Sequence, residues 1–85
     1  MTVAQAARVD ARRMLCDQAV MAAARAIRGL PPGGRLEVLT ASDSVRGDLR
    51  AWADRLGHLR GPERPGEAPG EVILTIEKRR DARRR

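Results

Sequence analysis

The chain of 85 residues has room for one small domain, whose core must be built almost wholly from Ala, Val, Leu and Ile, because it has one tryptophan and no phenylalanine or tyrosine. We expect no deep pocket for a large cofactor in such a core. The net charge of +6 lies mostly in residues 78–85, which hold six basic residues and one acid, so the remainder is close to neutral. A basic face for nucleic acid is therefore not predicted for the folded part, which also lacks the aromatic platforms of single-strand binders.

The single cysteine cannot form an internal disulfide, and no stretch has the length of a membrane span or the order of a secretory signal. We therefore expect a cytoplasmic protein with a free thiol and no membrane contact. Residues 1–78 are predicted to form the domain, and residues 79–85 a flexible basic tail. A second interpretation of the tail is an arm that contacts tRNA, which would show as steep salt dependence lost on deleting residues 79–85.

The first half of the chain predicts a strand and then a helix. Residues 2–12 are interpreted as a first strand that ends near Asp10. Beyond it, apolar residues recur at spacings of three and four, the pattern of an amphipathic helix: Val20, Ala23, Ile27 and Leu30. Asp17 suits the first turn of that helix, and the pair Pro31 and Pro32 stops it.

The middle of the chain repeats this order. Residues 35–40 alternate as a half-buried strand does, and Leu39 indicates some cover on the second face. The following stripe of apolar residues predicts a second helix: Val45, Leu49, Trp52, Ala53 and Leu56. Ser42, Asp43 and Ser44 can each cap its start, Gly47 predicts a late beginning, and Gly57 is expected to be a left-handed cap at its end.

The last part of the domain is predicted to hold a weak strand and a strong one. Residues 61–70 contain three prolines and three glycines, so we expect at most a short edge strand and then a mobile loop. Residues 71–78 alternate clearly and are predicted to form a central strand. The order β-α-β-α-(β)-β predicts an α+β fold, a two-layer sandwich with two helices on one face of a small mixed sheet.

Cys16 is the main candidate for chemistry, because a thiol at a helix start meets unpaired N–H groups and the positive end of the helix dipole. A buried structural cysteine is the alternative. One cysteine and His58 are too few ligands for a structural zinc site, and a Cys–His nucleophile lacks a third orienting group. The arginines of the second helix alternate with Asp48 and Asp54 and indicate a solvated, salt-bridged face.

The sequence from Val9 to Val20 resembles the opening of the TusA-like (SirA) sulfur-carrier family, which typically reads Leu-Asp-x-x-Gly-Leu-x-Cys-Pro-x-Pro-Val. Further similarity follows in residues 24–27, in the run Pro-Gly-Gly-Arg-Leu-Glu-Val of residues 32–38, and in Asp-Leu-Arg-Ala-Trp of residues 48–52. The resemblance covers residues 9–79. This sequence departs from the pattern at three positions, with Asp17 and Ala19 in place of the two prolines and Arg13 in place of the glycine.

The resemblance implies a sulfur carrier, of sulfurtransferase type, that holds a persulfide on Cys16. It further implies a cysteine desulfurase or a rhodanese-like protein as sulfur donor, a sulfur-acceptor protein, and no metal or cofactor. Arg12 and Arg13 are expected to support the anion, and Asp17 lies at the helix N-terminus. We hypothesise that the Asp17 carboxylate opposes ionisation of the thiol.

A function of another class stays open beside this one. A binding or regulatory module could keep the fold without the transfer and act through protein or tRNA contacts. The two interpretations differ at Cys16, since a gain of one sulfur that disappears in Cys16→Ser supports the carrier.

Overall fold

The computed structural model describes residues 6–80, so the part of the predicted first strand before Ala6 and the end of the predicted tail lie outside the described residues. The elements follow in chain order: β1 (Ala6–Asp10), α1 (Cys16–Arg28), β2 (Arg35–Thr40), α2 (Asp43–Arg55), β3 (Leu59–Arg60), β4 (Arg64–Pro65) and β5 (Val72–Glu77). No helix within residues 6–80 has the length and apolar character needed to cross a membrane.

Within residues 6–80 the strands form one mixed sheet. Its order is β1-β2-β5-β3, and β4 also pairs with β5. β1 runs parallel to β2, with Val9 opposite Val38, whereas β5 runs antiparallel to β2, with Leu74 opposite Val38. The central position predicted for the last strand is confirmed, as is the α+β fold with both helices in one layer.

The topology gives both helices the same direction. Since α1 connects two parallel strands, it must run back along the sheet, and α2 does the same between β2 and β3, which are both antiparallel to β5. Both helices therefore begin where β1 and β2 end, an edge that we call the helix-start edge. Both finish at the opposite edge, called here the helix-end edge.

The core lies between the sheet and the helices. Its members include Leu36, Val38, Leu74 and Ile76 of the sheet, Ala19, Ala23 and Ile27 of α1, and Val45, Leu49, Trp52 and Ala53 of α2. Trp52 fills the core as its one large side chain and is only 5% exposed. The small residues of α1 let that helix pack closely on the sheet, which fixes where its first residue lies.

Two details differ from the sequence-based expectations. The late start predicted for the second helix is wrong: α2 begins at Asp43, because the Ser42 side chain accepts the Val45 N–H and this cap compensates for Gly47. The loop expected after the third strand contains a further two-residue strand, β4, which pairs with the edge of β5. Pro65 is tolerated there because β4 lies at the edge of the sheet. The left-handed Gly57 is confirmed by its φ of 78°.

The face of the sheet away from the helices is partly covered. Leu39 and Ile73, which lie opposite each other on β2 and β5, are buried at 9% and 7% exposure. Pro65 and Gly66 line the same region, and a Cβ added to Gly66 would lie 3.2 Å from Leu39 Cδ1. The proline-rich segment thus covers the second face at the position where Leu39 indicated cover.

Candidate functional site

Cys16 is the first residue of α1 and lies at the helix-start edge. Its side chain is partly exposed, with one side packed against the core. Leu15, the residue before it, is 68% exposed. The thiol is therefore within reach of the surface and is not enclosed by the apolar interior.

The first turn of α1 leaves backbone donors beside this thiol. The Leu15 N–H donates to Gln18 Oε1 at 2.9 Å, and the Gln18 N–H donates to Asp17 Oδ1 at 2.9 Å. Within residues 6–80, the N–H groups of Cys16 and Asp17 have no protein acceptor. Two free donors and the positive end of the helix dipole therefore lie next to the sulfur, and both favour negative charge there.

Arg12 anchors the segment that leads from β1 to Cys16. Its Nε and Nη2 donate to the two carboxylate oxygens of Asp10 at 2.9 and 2.7 Å, and its Nη1 donates to Glu71 Oε2 at 3.1 Å. The Glu71 side chain also accepts the Ala68 N–H at 3.2 Å. Arg12 thus joins the end of β1 to the start of β5, and none of these hydrogen bonds goes to Cys16.

This network shifts the ionisation of its carboxylates. Hydrogen bonds from the Arg12 side chain and backbone lower the pKa of Asp10 to about 2. The pKa of Glu71 is lowered as well, first by the Ala68 N–H and then by Arg12. Asp10 in turn raises the pKa of Arg12. All three groups stay charged over the neutral range, so the anchor is permanent there.

Arg13 is exposed and makes no salt bridge within residues 6–80. It lines a polar cavity of about 520 Å³ together with Asp10, Arg12 and Glu71. The structure therefore brings Arg12, Arg13, Cys16 and Asp17 to one edge, as their proximity in sequence requires. Their side chains differ in state: Arg12 is fully paired, Asp17 accepts a helix N–H, and Arg13 stays available.

Arg46 is a feature of this edge that the sequence patterns missed. It is buried at 9% exposure, its Nη1 donates to Thr40 Oγ1 at 3.2 Å and to the Gly70 carbonyl at 3.4 Å, and its Nη2 pairs with Asp43. The expectation of a solvated arginine face is wrong at this position. Arg46 lies in the first turn of α2 above the end of β2, where only the tertiary structure brings acceptors to it.

The other arginine pairs near α2 are made with later segments. Arg50 forms two hydrogen bonds with Glu63, each of 2.8 Å, and Arg60 pairs with Asp54 at 2.9 Å. The hydrogen bonds from Arg50 lower the pKa of the Glu63 carboxyl. These pairs hold the short strands β3 and β4 beside the helix.

His58 lies away from the thiol, at the helix-end edge. Its Nδ1 accepts the Arg79 N–H at 3.1 Å, and its ring lies 5.5 Å from the Trp52 ring. Burial lowers the pKa of His58, and the charges of Arg79 and Lys78 add to the effect. The structure does not bring Cys16 and His58 together, and no group of three or more metal-ligating side chains occurs within residues 6–80.

The structure is a small α+β domain with a partly exposed thiol at a helix start, and comparison with known proteins gives its family. The family model "Sulfurtransferase TusA" matches residues 7–78. A sulfur carrier protein TusA of Pseudomonas syringae pv. syringae is 33% identical over 75 residues, which is 88% of this chain and 87% of the relative. The crystal structure of a SirA-like protein from Desulfitobacterium hafniense superposes with a TM-score of 0.74 at 24% identity, covering 86% of this chain and 97% of the other.

The chain therefore belongs to the TusA sulfurtransferase family. The resemblance of residues 9–79 to that family is confirmed. Membership supports a general role as a sulfur carrier, and the SirA-like structure shows the same fold.

Proposed function

We propose that the protein carries a sulfane sulfur as a persulfide on Cys16. The observation that carries this proposal is the partly exposed thiol at the first position of α1, beside two backbone N–H groups without a protein acceptor in the described part of the chain. A persulfide anion formed there would have hydrogen-bond donors within the helix start. Family membership supplies the class of reaction.

The transfer is a thiol–disulfide type of exchange that needs no outside oxidant. The Cys16 thiolate attacks the outer sulfur of a persulfide on the donor, the donor's S–S bond breaks, and the donor leaves as a thiolate. Cys16 then carries the S–SH group. An acceptor thiolate attacks the outer sulfur in the second step, and Cys16 leaves as a thiolate.

The neighbouring residues would divide the supporting work. Arg12 holds the loop before α1 through Asp10 and Glu71, so it positions Cys16 rather than contacting it. Arg13, exposed and without a salt bridge in residues 6–80, is the candidate that supports the anion. Asp17 occupies the Gln18 N–H, which removes one donor from the helix start.

The partners follow from the same chemistry. The donor must present a persulfide, as a cysteine desulfurase or rhodanese-like protein does, and the acceptor must be a sulfur-accepting protein. The exposed side chain of Leu15 next to the thiol gives such a protein an apolar contact at the point of transfer. Contact with tRNA through the basic tail is a further proposal, tested by the salt dependence of binding with and without residues 79–85.

The experiment is to incubate the full chain with a cysteine desulfurase and free cysteine and then to measure its intact mass without reductant. We expect the mass of one added sulfur, lost on treatment with dithiothreitol and absent in Cys16→Ser. A chain that gains no sulfur from a desulfurase, a rhodanese-like donor or polysulfide would contradict the proposal. That result would favour the binding module, in which the fold is kept without transfer.

A further inference from the structure

A groove of about 490 Å³ opens at the helix-end edge, between the last turns of α1 and α2 and the residues that follow β5. Its apolar lining includes the accessible side chains of Ala24, Pro32 and Leu56 and the buried side chains of Ile27 and Trp52. Leu56 is 44% exposed, although it continues the apolar stripe of α2. The groove lies roughly 16 Å along α1 from Cys16, at a rise of about 1.5 Å per residue. It is therefore separate from the thiol site.

Among the described residues, the rim of the groove carries positive charge without acidic partners. Arg28 and Arg79 line it and make no salt bridge within residues 6–80, and no lining residue is acidic. Lys78 also lines it, but its Nζ donates to the Leu30 carbonyl at 2.6 Å and so closes the end of α1. The Arg28 and Arg79 guanidinium groups, unpaired within residues 6–80, stand beside apolar side chains, so the groove offers both charged and apolar contacts.

His58, which also lines the groove, adds a ring N–H donor. Because its Nδ1 accepts the Arg79 N–H, the neutral ring carries its proton on Nε2. The ring is kept neutral near pH 7, since burial and the neighbouring cations lower the pKa of His58. The same hydrogen bond holds the backbone of Arg79 in place, which restricts the positions that its side chain can reach.

We propose that this groove binds an acidic peptide segment of a partner protein, with one apolar side chain of the peptide on the apolar lining and its carboxylates at Arg28 and Arg79. Apolar anchors flanked by complementary charge are the usual form of such contacts. The groove is open on one side, which suits a segment of chain that lies across it better than an enclosed small molecule.

Nucleic acid fits the same charges less well. Binding of single strands depends on aromatic rings on which bases stack. The single tryptophan, Trp52, is 5% exposed and has the His58 ring against it, so it offers no face for stacking. The accessible apolar lining of Ala24, Pro32 and Leu56 matches a Leu, Met or Phe side chain, whereas a sugar-phosphate backbone offers it little apolar surface.

This inference goes beyond the persulfide chemistry and does not depend on it. The groove and Cys16 lie at opposite ends of the helix pair, so peptide binding should be the same in Cys16→Ser as in the wild type. Failure of sulfur loading would leave the groove proposal standing, and the reverse also holds.

The test selects binders for the full chain from a random peptide library displayed on phage and measures their affinity by fluorescence anisotropy. We expect the selected peptides to combine Asp or Glu with a large apolar residue. Arg28→Glu and Arg79→Glu should each weaken binding by about tenfold or more, as charge reversal at a contact does. Leu56→Ala should also weaken binding, because it removes an apolar contact for the peptide side chain.

Arg35→Glu is the matched control, because it makes the same change of net charge at an exposed position of β2 outside the groove. It should leave the affinity nearly unchanged. Circular dichroism checks that each variant is folded, which we expect because neither Arg28 nor Arg79 makes a side-chain hydrogen bond within residues 6–80.

Three results would overturn the proposal. The first is a selection that yields no peptides, or peptides without acidic residues. The second is an equal loss of affinity in Arg35→Glu, which would show a general charge effect. The third is displacement of the peptide by single-stranded oligothymidylate at equal concentration, which would assign the groove to nucleic acid.

Discussion

The two ends of the helix pair use their arginines differently. At the helix-start edge, Arg12 binds Asp10 and Glu71, and Arg46 binds Thr40, the Gly70 carbonyl and Asp43, so both side chains are committed to the protein. At the helix-end edge, two arginines line an apolar groove and make no salt bridge within residues 6–80.

This difference indicates that Arg12 and Arg46 hold the fold, whereas Arg28 and Arg79, like Arg13 beside the thiol, are left for partners. In the segment just before β5, Arg12 donates to Glu71 and Arg46 donates to the Gly70 carbonyl. They therefore tie the loop before Cys16 and the start of α2 to the same point of the sheet. A thiol that exchanges sulfur with other proteins needs a fixed position, whereas a docking groove needs charges that are free to be neutralised.

The largest effect is expected for Arg46→Met, which keeps the apolar volume and removes the hydrogen bonds. It should lower the free energy of unfolding by about 1–3 kcal/mol, because the buried Thr40 hydroxyl loses a charged hydrogen-bond donor. The measurement is urea unfolding followed by circular dichroism. Arg28→Met at the other edge is the matched control and should change stability by less than about 0.5 kcal/mol. Equal losses in the two variants would erase the difference between the edges.

Two glycines, one in α2 and one just after it, provide an effect of intermediate size. Gly57, at the helix-end edge, has a φ of 78°, so Gly57→Ala should cost about 1 kcal/mol. Gly47, near the helix-start edge, has no atom within 4 Å of an added Cβ, so Gly47→Ala should stabilise the helix by about 0.5–1 kcal/mol. We expect the melting temperature to fall in Gly57→Ala and to rise in Gly47→Ala. A fall in both variants would show that the first turn of α2 requires Gly47.

The pH dependence of stability should also distinguish the helix-start edge, where Asp10 is paired with Arg12, from the helix-end edge. Asp10 has a folded pKa of about 2, below its ordinary value of 3.8, so its contribution is present above pH 4 and is lost as the pH falls towards 2. In Asp10→Asn the contribution is missing at every pH, and the fall in melting temperature between pH 4 and 2 should be shallower. Glu37 and Glu63, whose pKa values are lowered by Arg64 and Arg50, keep part of the slope.

Arg12→Gln is the partner variant in that experiment. It removes the cause of the shift, so it should flatten the same part of the curve, and the double variant should add little more. Additive effects of Asp10→Asn and Arg12→Gln would show that the two residues act separately and that the anchor before Cys16 does not exist.

The sequence predicted the architecture because the apolar periods were clear. The stripe from Val20 to Leu30, the stripe through Leu49 and Trp52, and the alternation of residues 71–78 each specify one element with one buried face. The position of Cys16 followed from the start of the first stripe. Such a pattern indicates which side of a helix or strand is buried, and it can be recognised within that one stretch of sequence.

The features that the sequence did not predict all depend on contacts between distant segments. Arg12 meets Glu71, and Arg46 meets Gly70, only after the sheet has brought β5 beside β2. The groove is equally non-local, since Arg28 and Arg79 are 51 residues apart in the chain. No periodicity marks a polar side chain whose partner is fixed by topology, which is why Arg46 was expected on a solvated face.

The central claim is that the helix-start edge presents a thiol that other proteins can reach. The rate at which iodoacetamide alkylates Cys16, compared between the native chain and the chain unfolded in guanidinium at the same pH, tests this directly. We expect native and unfolded rates within about one order of magnitude, as for a surface thiol. A native rate slower by several orders, with reaction only after unfolding, would show that the sulfur is inaccessible and would contradict the carrier function.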